Sequence, residues 1–208
     1  MPAMTITLDL YSDYVCPWCY FMTRRIERLH KEYDIATVWH PFPLHPDTPE
    51  EGRSLEEIYS RYPYPTRDML EHLRRNARAL NLPYGERTMT YNSRLAQELG
   101  CWAEAQGRGE AFHEEAFRTY FVELQNLART PVLLGIVRQA GLDPDGAEEV
   151  LATRAYAPEV DRHWKNAREQ GVKAVPTIVV GDNMLIGARQ YRALADFIEQ
   201  QGAQELNV

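Results

Sequence analysis

Alternation of apolar and polar residues, the signature of a half-buried strand, occurs only near the two ends of this chain; the long middle is patterned for helix. Near the start, Ile6, Leu8 and Leu10 alternate with Thr7 and Asp9, which predicts a strand. Met22, Ile26, Leu29 and Tyr33 then recur at helical spacing. Ala36 to Phe42 reads as a second strand, closed by Pro43, Pro46 and Pro49, which cannot donate to a ladder. Strand character returns only at Thr177–Val180, and Gly181-Asp182-Asn183 turns it into Met184-Leu185-Ile186. Tyr191, Leu194, Ala195 and Ile198 mark a last helix. The order is strand–helix–strand, a helical block, then strand–strand–helix. The final piece is too short to bury a core of its own, so it must return to the first sheet. The expected architecture is therefore α/β, one small sheet split by a helical insertion: residues 1–52 and 171–208 form the two halves, and 53–170 the insertion.

Within that block the sequence predicts six or seven helices and no strand. Leu70, Leu73, Ala77 and Leu80 form one stripe, Leu95, Leu99 and Trp102 another, and Phe112, Ala116, Tyr120 and Leu124 a third. Ser54 with Glu57 reads as a capping box. Thr130-Pro131 and Asp143-Pro144 each read as a capping side chain followed by proline at the first helical position.

The sequence has 208 residues, 44% hydrophobic and 25% charged, an ordinary globular balance. A net charge of −7 argues against nucleic acid as a partner, since phosphate binding needs a positive surface. No apolar run approaches a membrane span, and the opening residues lack the basic-then-apolar order of an export signal. A cytoplasmic location, without membrane association, is the expectation. Nothing in the residues specifies an oligomeric state.

Two of the three cysteines are three apart, in Cys16-Pro17-Trp18-Cys19 at the first strand-to-helix junction. Pro17 suits the first helical position because it has no N–H to lose. That register places Cys16 at the helix start, its sulfur facing first-turn amides near Trp18 and Cys19 and the positive end of the helix dipole. Both favour thiolate, the reactive form. Cys19, one turn on and on the same face, is placed to attack a mixed disulfide formed at Cys16 and close an internal one. Cys16 is the expected nucleophile and Cys19 the resolving thiol. A Cys-x-x-Cys is also half of a zinc site, but that needs two more ligands. Cys101 stands alone and the six histidines show no paired spacing, so no metal and no cofactor beyond the dithiol is expected.

Ser12-Asp13-Tyr14-Val15-Cys16-Pro17-Trp18-Cys19-Tyr20 with Arg24-Arg25 resembles the DsbA-like oxidoreductases of the FrnE type. So do Pro41-Phe42-Pro43-Leu44 to Glu51-Gly52, Asn92-Ser93-Arg94-Leu95-Ala96, and Val175-Pro176-Thr177 with Gly187-Ala188. The resemblance spans nearly the whole chain. It implies a thioredoxin-like fold with a helical insertion and dithiol–disulfide exchange with protein or small-molecule thiols, glutathione among them. It also implies a cis Val175–Pro176 bond facing the cysteines, with Val175, Pro176 and Thr177 receiving substrate. The same superfamily includes kappa-class glutathione transferases and 2-hydroxychromene-2-carboxylate isomerases, which makes a glutathione-dependent transferase or isomerase the alternative. Those relatives carry serine where this chain has Cys16, and an acidic residue shortly after the late glycine, where this chain has Ala188, Arg189 and Gln190. Some FrnE-type proteins extend into a second cysteine pair; none follows here, so no function depending on one is expected.

Asp13 reads first as a turn or helix-entry residue, and secondarily as a proton acceptor for Cys19. His40 and His45 read as ordinary polar histidines, Cys101 as a small core residue beside Trp102, and Phe112, Phe117, Tyr120 and Phe121 as packing for the insertion.

Overall fold

A computed structural model describes residues 5–206. The chain runs β1 (Ile6–Ser12), α1 (Pro17–Glu32) and β2 (Ile35–Pro41), then β3 (Arg53–Ser54), α2 (Leu55–Tyr59), α3 (Thr66–Ala79) and β4 (Met89–Thr90). It continues through α4 (Arg94–Ala105), α5 (Gly109–Phe121), α6 (Thr130–Gln139), α7 (Pro144–Thr153) and α8 (Ala157–Glu169), and ends with β5 (Thr177–Val180), β6 (Asn183–Ile186) and α9 (Tyr191–Gln200).

The main sheet has the order β2-β1-β5-β6. β1 pairs parallel with β2, Leu8 opposite Thr37, and antiparallel with β5, Leu10 opposite Ile178. The late hairpin therefore does return to the first strand. This is the thioredoxin-like arrangement that the sequence pattern and its resemblance led us to expect.

The sheet and α1 divide the interior into two cores. Leu8 and Leu10 pack with Met22, Ile26 and Leu29 of α1, Ile178 of β5, and Leu194 and Ile198 of α9. Tyr11, Cys16, Cys19, Tyr20 and Phe21 belong instead to a larger core shared with the helical block, including Leu73, Leu99, Phe112, Phe117 and Tyr120. One helix serves both: its middle seals the sheet, and its first turn is gripped by the insertion. Each fully buried Leu or Phe contributes about 1.5–3 kcal/mol relative to exposure. The helical block is thus bonded to the first turn of α1 by burial.

The block departs from the sequence expectation in three places. Met89–Thr90 is a strand, paired antiparallel with Arg53–Ser54. Two residues are too few to show a period of two, and the pairing depends on close approach: a Cβ on Gly52, at φ +94°, would lie 2.6 Å from the Thr90 carbonyl oxygen. Thr130 is not a cap: it is the first helical residue, after Arg129, and its side chain caps nothing. Asp143 does cap α7, accepting from the amides of Asp145 and Gly146, and Ser54 caps α2 through the Glu57 amide. The Glu57 carboxylate, however, lies 3.7 Å from Arg53 rather than closing the box. No described helix is long and apolar enough to cross a membrane.

Candidate functional site

The cysteine motif sits where β1 gives way to α1. Cys16 is the N-cap, with extended backbone (φ −86°, ψ 113°), and Pro17 follows within the first turn. The Cys16 amide donates to the Asp13 carbonyl, and the Cys16 carbonyl accepts from the amides of both Cys19 and Tyr20, each at 3.1 Å. The turn is closed by backbone, so the proline's missing donor costs nothing.

The sulfur of Cys16 departs from the expected geometry. It makes no capping bond to a first-turn amide; its thiol donates to the Val175 carbonyl at 3.6 Å. The Cys19 amide is already committed to the Cys16 carbonyl, and the Cys16 thiol can donate to the Val175 carbonyl instead. The Val175–Pro176 bond is cis. Thr177, fully buried, donates from Oγ1 to the Ala174 carbonyl and sits opposite Tyr11 of β1. Residues 159 positions apart are thereby brought into contact.

Cys16 and Cys19 are both free thiols, each only 1% exposed. Burial, and then the adjacent Cys16 thiol, push the Cys19 thiol well above its ordinary range. The Asp13 backbone amide and the Ser12 hydroxyl oppose that rise. Ser12 Oγ is buried and has no regular hydrogen-bond partner, which leaves it as a donor in reserve for charge on Cys19.

The Asp13 carboxylate holds the loop. Its two oxygens accept from the amides of Val15 (3.3 Å) and Leu44 (2.7 Å), and the Ser93 and Gln97 side chains also face it. Burial raises its pKa and these donors lower it, burial having the larger effect. Asp13 thus joins the motif loop to the segment after β2 and to the start of α4, and it is the residue's backbone amide that addresses Cys19.

Trp18, half-buried, meets Phe21 edge-on and rests against His72 of α3, both with ring centroids at 5.6 Å. Tyr20 stacks on Phe121 at 4.8 Å and donates to the Pro83 carbonyl. The insertion thus overlies the motif. Phe112, Phe117, Tyr120 and Phe121 are at most 1% exposed and act as packing.

Sequence reasoning missed one charge. Arg87, 6% exposed, donates to the hydroxyls of Tyr120 (2.9 Å) and Tyr84 (3.2 Å) and pairs with no carboxylate among the described residues. Charge on Cys16 is felt at the Tyr84 hydroxyl, where it opposes ionisation. Arg87 is thus a buried cation held by two phenols of the insertion. No periodicity or motif surrounds Arg87 in the sequence. A second missed chain runs from the Tyr14 hydroxyl to His113 Nδ1 (2.6 Å) and from His113 Nε2 to Glu104 (2.8 Å). Gly100 makes room for it, since a Cβ there would lie 2.3 Å from the Tyr14 hydroxyl.

The histidines and Cys101 are not scattered either. His40 is bonded to Asp9 and to His163. Cys101, buried as expected, shares its surroundings with Glu159 and His163. Burial pushes its thiol up to about 12, so at neutral pH it is not a competing nucleophile.

Comparison with known proteins places this geometry among relatives. A family model described as a DSBA-like thioredoxin domain matches residues 7–199. The crystal structure of a probable DsbA oxidoreductase, SCO1869 from Streptomyces coelicolor, superposes with a TM-score of 0.87 at 24% identity, over 94% of this chain and 89% of that one. A 2-hydroxychromene-2-carboxylate isomerase superposes at 0.74 and 20% identity, over 94% and 96%. The cytosolic disulfide reductase DsbM from Pseudomonas aeruginosa, solved with GSH, superposes at 0.65 and 19% identity, over 94% and 98%. At these identities the likeness is one of fold.

Proposed function

The chain belongs to the DsbA-like thioredoxin domain family, and from that premise we propose that it is a dithiol–disulfide oxidoreductase working through Cys16 and Cys19. The observation that carries this reading is the Cys16 sulfur, at the start of α1 and against the Val175 carbonyl, with the Cys19 thiol beside it.

Cys16, as thiolate, attacks one sulfur of a substrate disulfide. A Cys16–substrate bond forms, the substrate S–S bond breaks, and the departing sulfur takes a proton from solvent. Cys19 then loses its proton, attacks the Cys16 sulfur, and releases the second substrate thiol. The substrate is reduced by two electrons and the Cys16–Cys19 pair oxidised by two; run backwards, the same steps oxidise a dithiol. Departure of the Cys16 proton removes its bond to Val175, freeing that carbonyl for an amide of an extended substrate across Val175–Thr177.

Glutathione is the small thiol we assign to the return half-cycle. Support comes from the fold shared with a disulfide reductase solved with GSH. The setting we assign is cytoplasmic, where ambient thiols favour reduction or isomerisation over net oxidation.

The test is paired substitution. Cys16→Ser should abolish disulfide reduction, and Cys19→Ser should accumulate a mixed disulfide at Cys16, visible by mass. Reduction surviving in Cys16→Ser would overturn the assignment. Saturable glutathione binding with conjugation retained in Cys19→Ser would favour an isomerase or transferase instead.

A further inference from the structure

Outside the dithiol, three ligand-type side chains converge between α4 and α8. One ligand atom from each of Cys101, Glu159 and His163 lies within 4.8 Å of the others. Glu159 and His163 stand one turn apart on the same face of α8, and α4 supplies the sulfur.

Asp9 Oδ1 can only accept, so His40 Nε2, 2.7 Å away, carries a proton. His163 Nδ1 lies 3.1 Å from His40 Nδ1, so one of the two nitrogens donates to the other. On its other side His163 Nε2 faces Glu159 Oε1 at 3.8 Å, too far for a hydrogen bond. Arg162 approaches the same oxygen at 3.5 Å. When His163 Nδ1 is the donor to His40, its Nε2 presents a lone pair toward Glu159 and the Cys101 sulfur, the form in which an imidazole takes a metal ion.

We propose that Cys101 Sγ, His163 Nε2 and Glu159 form a divalent transition-metal site, zinc foremost, oriented through His163 by His40 and Asp9. A sulfur–nitrogen–oxygen set suits zinc, whose bonds of about 2.0–2.3 Å need only small side-chain rotations from these separations. The fourth position is left to water. The relay carboxylate–imidazole–ligand imidazole is the outer-shell pattern that fixes a metal-bound histidine's tautomer. Coordination removes the Cys101 proton to solvent, and the thiolate and carboxylate together neutralise the ion. Cys101 and His40 also line a small cleft with Ser12, Tyr14 and His113, through which an ion would enter. The ion would tie α4 and α8 together and, through His40, to β2.

The probe is Co(II), with Zn(II) as competitor, added to the full chain carrying Cys16→Ser and Cys19→Ser, so that Cys101 is the remaining thiol of three. One equivalent should bind, with a sulfur-to-cobalt charge-transfer band that Zn(II) displaces, and about one proton should be released. Cys101→Ser should abolish the band. His163→Ala and Glu159→Gln should each weaken binding at least tenfold, and His40→Gln by about 10- to 100-fold. The circular dichroism of His163→Ala separates lost binding from lost fold. No band at millimolar cobalt, or a band undiminished in a folded His163→Ala chain, would overturn the proposal and leave the dithiol assignment untouched.

Discussion

Replacing Ser12 by alanine removes one hydroxyl from beside Cys19 and no other interaction, because that hydroxyl has no regular hydrogen-bond partner. As a thiol, Cys19 loses nothing. As an attacking thiolate it loses one of the two groups that favour its charge, the Asp13 amide being the other. A hydrogen bond to a charged group contributes about 1.5–3 kcal/mol, and about 1.4 kcal/mol is tenfold in population, so the thiolate fraction should fall by about ten- to 150-fold. A more basic sulfur is also more nucleophilic, with a Brønsted slope of about 0.4–0.5. Roughly half of the loss is recovered on the logarithmic scale, leaving resolution about 4- to 16-fold slower. The assay is reaction with an aromatic disulfide whose thiol product absorbs visible light. The first release reports Cys16, and the second, intramolecular release reports Cys19. Ser12→Ala should slow the second phase, spare the first, and leave the melting temperature unchanged or slightly higher, since an unsatisfied buried group has been removed. A second phase as fast as the parent's at every pH would show that the hydroxyl does not act on the attacking sulfur.

Two further predictions concern the insertion. Glu98, fully buried, accepts from Arg94 and from two nitrogens of Arg154, at 2.7 Å; the arginines left by Glu98→Ala keep solvent or Asp161, so the substitution should cost about 1.5–3 kcal/mol, and a chemical denaturation midpoint no lower than the parent's would contradict that. The bond from His113 holds Glu104 below the usual carboxylate range. A carboxylate whose folded pKa is depressed contributes stability above its unfolded value and loses it as pH falls through the folded one. Parent and Glu104→Gln should therefore differ in melting temperature at neutral pH and converge below the ordinary carboxylate range; a constant difference down to acid would argue against the Tyr14–His113–Glu104 chain.

What the sequence by itself determined is what neighbours along the chain can settle. Cys16, Pro17 and Cys19 lie within one turn, so their helix entry and shared face follow from the i, i+3 spacing alone. The alternation of β1, the stripe of α1 and the turn at Gly181-Asp182 are local in the same sense, and the shortness of the last ββα piece forces it back to β1. The conformation around Val175–Pro176 was legible only through resemblance to relatives. Tertiary structure alone decided which partners each sulfur meets. It aims the Val175 carbonyl at Cys16, sets the Ser12 hydroxyl near Cys19, and buries Arg87 behind Tyr84. It also joins His40 to His163 across 123 positions and Tyr14 to His113 across 99. Such contacts leave no period in the sequence, because a hydrogen bond constrains two atoms in space and says nothing of how many residues separate them. The two-residue pairing of β3 with β4 escaped notice for a related reason: alternation needs length to be visible, whereas a ladder needs only two backbones and a glycine that lets them approach.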